Sequence, residues 1–280
     1  MTSGMPTRDL GQVDGPLLVF GGPYSNRQAT EAIIAEAARR DIPPWHCLCT
    51  GDVVAYCADP AETVSLIRDW GCPVVMGNCE ESLGSGAEDC GCGFADGTAC
   101  DLLSTQWFAH ATARLDDDAR AWMAALPRKI TFEVAGRKGA AIHGGWAGGA
   151  TAINRFLFAS QPDSAFAAEF DALDADIVLA GHCGLPFVRQ VGARQWLNAG
   201  VIGMPANDGD PATWFLILEP DGSHAFHQLG YDHGAAARAM RSAGLAEGYA
   251  AGLETGLWPS LDILPEAERR ATGRPTRAVA

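Results

Sequence analysis

Three short apolar runs, Leu17–Phe20, Cys47–Cys49 and residues 73–76, each run out into a glycine turn, and stretches with helix-spaced apolar residues separate them. After Gly21-Gly22-Pro23, residues Ala29, Ile33, Ile34 and Ala37 recur at helical spacing; after Gly51-Asp52, Pro60 opens a stretch carrying Val64, Ile67 and Trp70. The third run ends at Gly77-Asn78. Strands that alternate with helices pair in parallel through right-handed crossovers, which puts the loops that follow them on one edge of the sheet. Gly22, Asp52 and Asn78 are therefore expected to converge.

The second half changes character. Strands are predicted at Lys129–Val134, 140–143, 176–180, 195–197 and Thr213–Leu218, with one helix at Asp163–Leu173. More strands with fewer helices imply a second, mixed sheet packed on the first, so the fold class is α/β with two mixed β-sheets flanked by helices. The expected organisation is an N-terminal extension at 1–14 and a main domain at 15–230, with an irregular Gly-, Ser- and Cys-rich insertion at 81–100. A helical extension follows at 231–280, fraying from 269 onward. In it Leu253, Leu257, Trp258 and Leu261 could cover a second copy of the chain, making a homo-oligomer, or pack on their own domain.

A net charge of −14 sets the chain against nucleic acid and anionic membranes, both of which it would repel on average. The start, Met1-Thr2-Ser3-Gly4-Met5-Pro6, has no basic and apolar leader, and no apolar stretch approaches the ~20 residues that cross a bilayer. A cytoplasmic protein is expected. The nine cysteines are too sparse for a disulfide scaffold, and in a reducing compartment they read as core residues, metal ligands or reactive thiols. Cys47, Cys49 and Cys72 sit in or beside predicted strands and read as core.

Four polar residues lie in glycine-containing turns at predicted strand ends: Gly51-Asp52, Gly77-Asn78, His143-Gly144 and Gly181-His182. A carboxylate, an amide oxygen and two imidazoles form a mixed nitrogen and oxygen set suited to Zn, Mn or Fe. Each alone has a plainer reading, as a helix cap or a satisfied core histidine.

Their order resembles that of the calcineurin-like metallophosphoesterases, in particular the YfcE-like bacterial branch. That family carries Asp-x-His, Gly-Asp, Gly-Asn-His-Asp/Glu, His-Gly and Gly-His-x-His, and this chain shows Gly22-Pro23-Tyr24, Gly51-Asp52, Gly77-Asn78-Cys79-Glu80, His143-Gly144 and Gly181-His182-Cys183-Gly184. Ser25-Asn26, Tyr56, Pro60 and the run from Asn198 to Gly203 also match, and the likeness extends over about residues 17–218. The resemblance implies a four-layer α/β sandwich and a two-metal centre. Asp52, Asn78, His143 and His182 fall where one metal takes its ligands; the private ligands of the other fall at Gly22, Tyr24 and Gly184 and are gone. A mononuclear, metal-dependent phosphoesterase is the implied activity, with a small phosphorylated molecule as substrate and with the four ligands and Cys79 as the catalytic group. Cys79 takes the place of the histidine that protonates the leaving group, a role a thiol fills poorly. Asn26 and Arg155 are candidates for contacting a bound oxyanion.

Two other functions stay open at this point. A non-catalytic descendant could keep the metal as a sensor or interaction module. Alternatively Tyr24, Cys79 and Cys183 could rebuild a second site for a softer metal or a redox centre, with Cys90 and Cys92 forming a thiol cluster on the insertion.

Overall fold

The computed structural model describes residues 5–90 and 99–276. In chain order the elements are β1 (Thr7–Gln12), β2 (Leu17–Phe20), α1 (Arg27–Arg39), β3 (Cys47–Cys49), α2 (Pro60–Trp70), α3 (Asn78–Ser85), α4 (Ala99–Thr112) and α5 (Asp117–Ala124). Then come β4 (Lys129–Val134), β5 (Arg137–Ala141), α6 (Asp163–Leu173), β6 (Ile177–Ala180), β7 (Pro186–Val191) and β8 (Arg194–Ala199). The chain continues with β9 (Thr213–Leu218), β10 (His224–Leu229), α7 (His233–Ser242), α8 (Glu247–Thr255) and α9 (Glu266–Ala271). Among the described residues no helix is long and apolar enough to cross a membrane.

Two mixed sheets result, one of six strands in the order β1-β4-β5-β6-β8-β7 and one of four in the order β10-β9-β2-β3. Side chains alternate across a strand, so a strand with apolar residues at every position must be covered on both faces. β2 obeys this: Leu17 and Val19 join the core between the sheets, with Ile130, Phe132, Leu179 and Leu216, while Leu18 and Phe20 face the helical layer with Ile33, Ile67 and Met240. β6 does the same in the other sheet, where Val178 and Ala180 pack with Phe166, Phe170 and Trp196 on the side of α6. The molecule is thus four layers deep, helix, sheet, sheet, helix.

Local signals set the helix ends. The Asn26 side chain accepts the Ala29 N–H at the start of α1, and Pro60 opens α2, which closes on Gly71 in the left-handed conformation. The structure departs from expectation at several elements. Residues 7–12, assigned to an extension, form β1 and pair in parallel with β4, Thr7 opposite Lys129 and Arg8 opposite Ile130. Their polar composition suits an exposed edge strand and gives no apolar run to read. The run 73–76 makes only an isolated bridge, Val74 to Cys49, because Pro73 lacks an N–H and Gly77 ends the run. α3 occupies the start of the expected irregular insertion, and β7 and β10 were not foreseen.

Candidate metal centre

The four-stranded sheet supplies Asp52, beyond β3; the six-stranded sheet supplies His143, two residues past β5, and His182, two residues past β6; Asn78 is the first residue of α3. Asp52 and His182 both hold positive φ, 56° and 63°, a conformation that is uncommon for residues bearing a Cβ. The neighbouring glycines let these turns touch: a Cβ on Gly51 would lie 2.7 Å from the Gly77 nitrogen and 2.8 Å from His143 Nδ1. All four side chains are buried.

Hydrogen bonds outside the cluster aim the donor atoms inward. His143 Nδ1 lies 2.7 Å from the Thr50 carbonyl oxygen and His182 Nε2 lies 3.1 Å from the Asn154 carbonyl oxygen. A carbonyl only accepts, so these nitrogens carry the hydrogens, and in the neutral rings the lone pairs fall on His143 Nε2 and His182 Nδ1. The Asn78 amide donates to the Cys90 carbonyl at 3.2 Å, which turns its Oδ1 the other way. His143 Nε2 then stands 3.0 Å from His182 Nδ1, 3.1 Å from Asn78 Oδ1 and 3.3 Å from Asp52 Oδ2. Four acceptors face one another. A proton can serve only a pair of them, whereas a cation serves all four, and the nitrogen and oxygen set with carbonyls fixing each imidazole is the chemistry of a divalent transition-metal site.

The charges make a proton between His143 and Asp52 the competitor of a cation for this group. Burial opposes charge on Asp52, yet His143 and then His182 hold its carboxyl below the usual range. Burial likewise resists a proton on His143, and Asp52 overrides it and holds the imidazole above its usual range. Burial, reinforced by His143, takes His182 down to about 3.

Glu80 carried no role in the sequence reading, and it organises the site. Its fully buried carboxylate accepts the N–H groups of Asp52 at 2.7 Å and Gly77 at 2.9 Å through one oxygen, and those of Val53 at 2.8 Å and Val54 at 3.3 Å through the other. Burial, and next the charge of Asp52, raise it to about 7. Its place three residues after Gly77, at the start of a helix, was the available signal. Asn198 plays a similar part for the histidine turn, donating to the Gly181 carbonyl at 2.8 Å. Phe156 stacks on the His182 ring with centroids 4.1 Å apart.

A family model described as the calcineurin-like phosphoesterase superfamily domain matches residues 25–222. The chain belongs to this superfamily. Among solved structures, a metallophosphoesterase from Sphaerobacter thermophilus superposes with a TM-score of 0.67 at 22% identity, covering 88% of this chain and 100% of that one. A hypothetical protein from Pyrococcus horikoshii gives 0.73 at 15% identity, with 87% and 99% covered. An uncharacterized protein of Methanocaldococcus jannaschii is 25% identical over 236 residues, 79% of this chain and 89% of its own length. The two-sheet α/β architecture is shared with these two solved structures.

Aromatic rings lie against two of the glycines at the motif positions, Gly22 and Gly184. The Tyr24 ring folds back over Gly22, where a Cβ would lie 2.6 Å from Cζ, and the indole of Trp258 covers Gly184, where a Cβ would lie 3.1 Å from Cζ2. Among the described residues the one group of three or more histidine, cysteine or acidic side chains placed to share an ion is Asp52, His143 and His182, with ligand atoms within 4.8 Å of one another. No cysteine joins it. Cys79 bonds into the cluster instead, its N–H donating to Asp52 Oδ1 at 3.3 Å and its sulfur accepting from Asn78 Nδ2 at 3.6 Å. The Cys183 thiol points at the Leu185 carbonyl at 3.8 Å, and burial pushes it up to about 12. Burial also raises Tyr24 and Cys79 well above their usual ranges. Cys90 is disulfide-bonded, which departs from the expected cluster of free thiols, and Cys92 lies outside the described residues.

The two candidates for oxyanion contact are committed elsewhere. Asn26 is buried at the start of α1, with its amide donating to the Gly203 carbonyl at 3.0 Å and to the Tyr231 hydroxyl at 3.3 Å. Arg155 pairs with the buried carboxylate of Glu169 and donates to the Ala147 carbonyl at 2.6 Å. Neither lines the cavity beside Asp52, Asn78 and His182.

Proposed function

We propose that this protein is a hydrolase of phosphate mono- or diesters of a small molecule, working through one divalent ion, Zn, Mn or Fe, held by Asp52, Asn78, His143 and His182. The observation that carries the reading is the inward meeting of three acceptor atoms around His143 Nε2, at 3.0 to 3.3 Å, a group of four that one proton cannot satisfy. Such an ion would supply Lewis acidity toward a phosphoryl oxygen and a bound water of lowered pKa.

The chain's own groups do the rest. Thr50 and Asn154 hold the two imidazoles in the tautomers that face the site, and Glu80 locks the Asp52 turn onto the Gly77 turn. Phe156 covers one face of His182 and keeps water off it. Cys79 is a weak acid where an imidazole would serve better, which favours esters whose leaving group departs without a strong proton donor.

Metal analysis of protein purified without added metal, followed by turnover of an activated aryl phosphate, tests the proposal. About one ion per chain and hydrolysis abolished in Asp52→Ala are expected. A stoichiometric metalloprotein inert toward a broad panel of phosphoesters would instead favour a metal-binding sensor or interaction module.

A further inference from the structure

The cavity that opens on Asp52, Asn78 and His182 is walled by Tyr24, Tyr56, Phe156, Tyr249, Trp258 and Ile263, and encloses about 70 Å³. Among the described residues no lysine or arginine lines it. Its rings are set by their own contacts. Tyr56 packs edge-on to Tyr24 at 4.8 Å and against Tyr249 at 4.7 Å, while the Trp258 indole N–H donates to the Pro205 carbonyl at 2.7 Å and its backbone N–H to Asn207 Oδ1 at 2.9 Å. Tyr249 and Trp258 come from the C-terminal helical region, which thereby closes the cavity over the place of the absent second ligand set.

This arrangement polarises the cavity. Its one end with a charge-bearing set is the Asp52, Asn78 and His182 end; elsewhere the lining offers hydroxyls but no opposite charge, so an anionic or cationic group would lose hydration without an ion partner. A phosphoester carrying further charges, such as a nucleoside polyphosphate, is disfavoured on that ground, and an uncharged ring is favoured by apolar burial and by edge and face contacts with the aromatic walls. We propose that the wall formed by Tyr56, Phe156, Tyr249 and Trp258 binds the uncharged aryl group of a phosphoester whose phosphoryl end meets the metal ligands. This rests on the phosphoesterase reading for the position of the phosphoryl group.

The test uses non-hydrolysable ligands on metal-loaded protein, with binding read by calorimetry. Phenylphosphonate should bind at least tenfold more tightly than methylphosphonate, and Trp258→Ala should shrink that ratio at least several-fold while Trp258→Phe retains most of it. Equal affinity for the two phosphonates in the wild-type protein overturns the proposal whether or not the variants fold. An aryl preference in a protein that hydrolyses no ester leaves the aryl site standing and defeats the hydrolase reading; hydrolysis without the preference does the reverse.

Discussion

One oxygen of Glu80 accepts the N–H of Asp52 at 2.7 Å, so a buried carboxylate holds the backbone of the residue whose own carboxylate faces His143 Nε2. Both oxygens of Glu80 are used, by four backbone donors. Glu80→Gln keeps one acceptor oxygen and turns an NH2 toward two of those donors. Each buried N–H left unmatched costs about 1–3 kcal/mol, so the variant should show a clearly lowered Tm and a reduced metal content, measured by thermal unfolding and elemental analysis.

An ion bound by the native state alone adds stability, about 2.7 kcal/mol at a hundredfold excess of free ion over Kd. Chelation should therefore lower the Tm of the wild-type protein and leave Asp52→Ala unmoved. A wild-type Tm indifferent to chelator and to added Zn or Mn would argue against the site.

Gly184 lies under the Trp258 indole and has a φ of 76°. Gly184→His should not recruit a second ion, because the ring occupies the space and the backbone disfavours a side chain there. Overpacking of this kind costs about 1–3 kcal/mol, and a fall in Tm with metal content still near one ion per chain is the expected outcome.

Glu169 is buried and accepts the N–H groups of Trp146 at 2.6 Å and Ala147 at 2.9 Å, besides pairing with Arg155. The loop it holds carries Asn154, whose carbonyl sets the His182 tautomer. Glu169→Ala should destabilise by about 3 kcal/mol or more and weaken metal binding, whereas Arg155→Ala, which removes a half-exposed partner and leaves both amide bonds, should cost less. Comparing the two variants by denaturant unfolding and metal titration checks the order.

The Arg39 and Arg40 guanidiniums hold Glu36 down at about 2, against an ordinary 4.5. A carboxyl depressed in the folded state stabilises above its unfolded pKa, and that contribution disappears as pH falls from about 4.5 through about 2. Glu36→Gln should flatten the acid limb of a Tm against pH profile in that window and leave the neutral region little changed.

The meeting of Asp52, Asn78, His143 and His182 was legible because each stands in a glycine turn next to an apolar run, and the alternation of elements says on which edge such turns gather. Leu17–Phe20 and Ile177–Ala180 were legible as strands because cover on both faces makes them continuously apolar. β1 was not: Thr7-Arg8-Asp9 pairs through backbone alone on an exposed edge, so nothing in its side chains announces it. The same holds for Thr50 and Asn154, which serve through carbonyls that every residue possesses. Trp258 was hidden for a different reason. An indole lying against a glycine more than seventy residues earlier in the chain, Gly184, is a relation between distant positions, and only coordinates display it.

Asp52 hangs from the four-stranded sheet, while His143 and His182 hang from the six-stranded one. A cation shared by them would be a rivet through two plates. Anything that lets the plates slide, such as trimming Ile130 or Leu216 in the layer between them, would loosen the grip on the ion without touching a ligand.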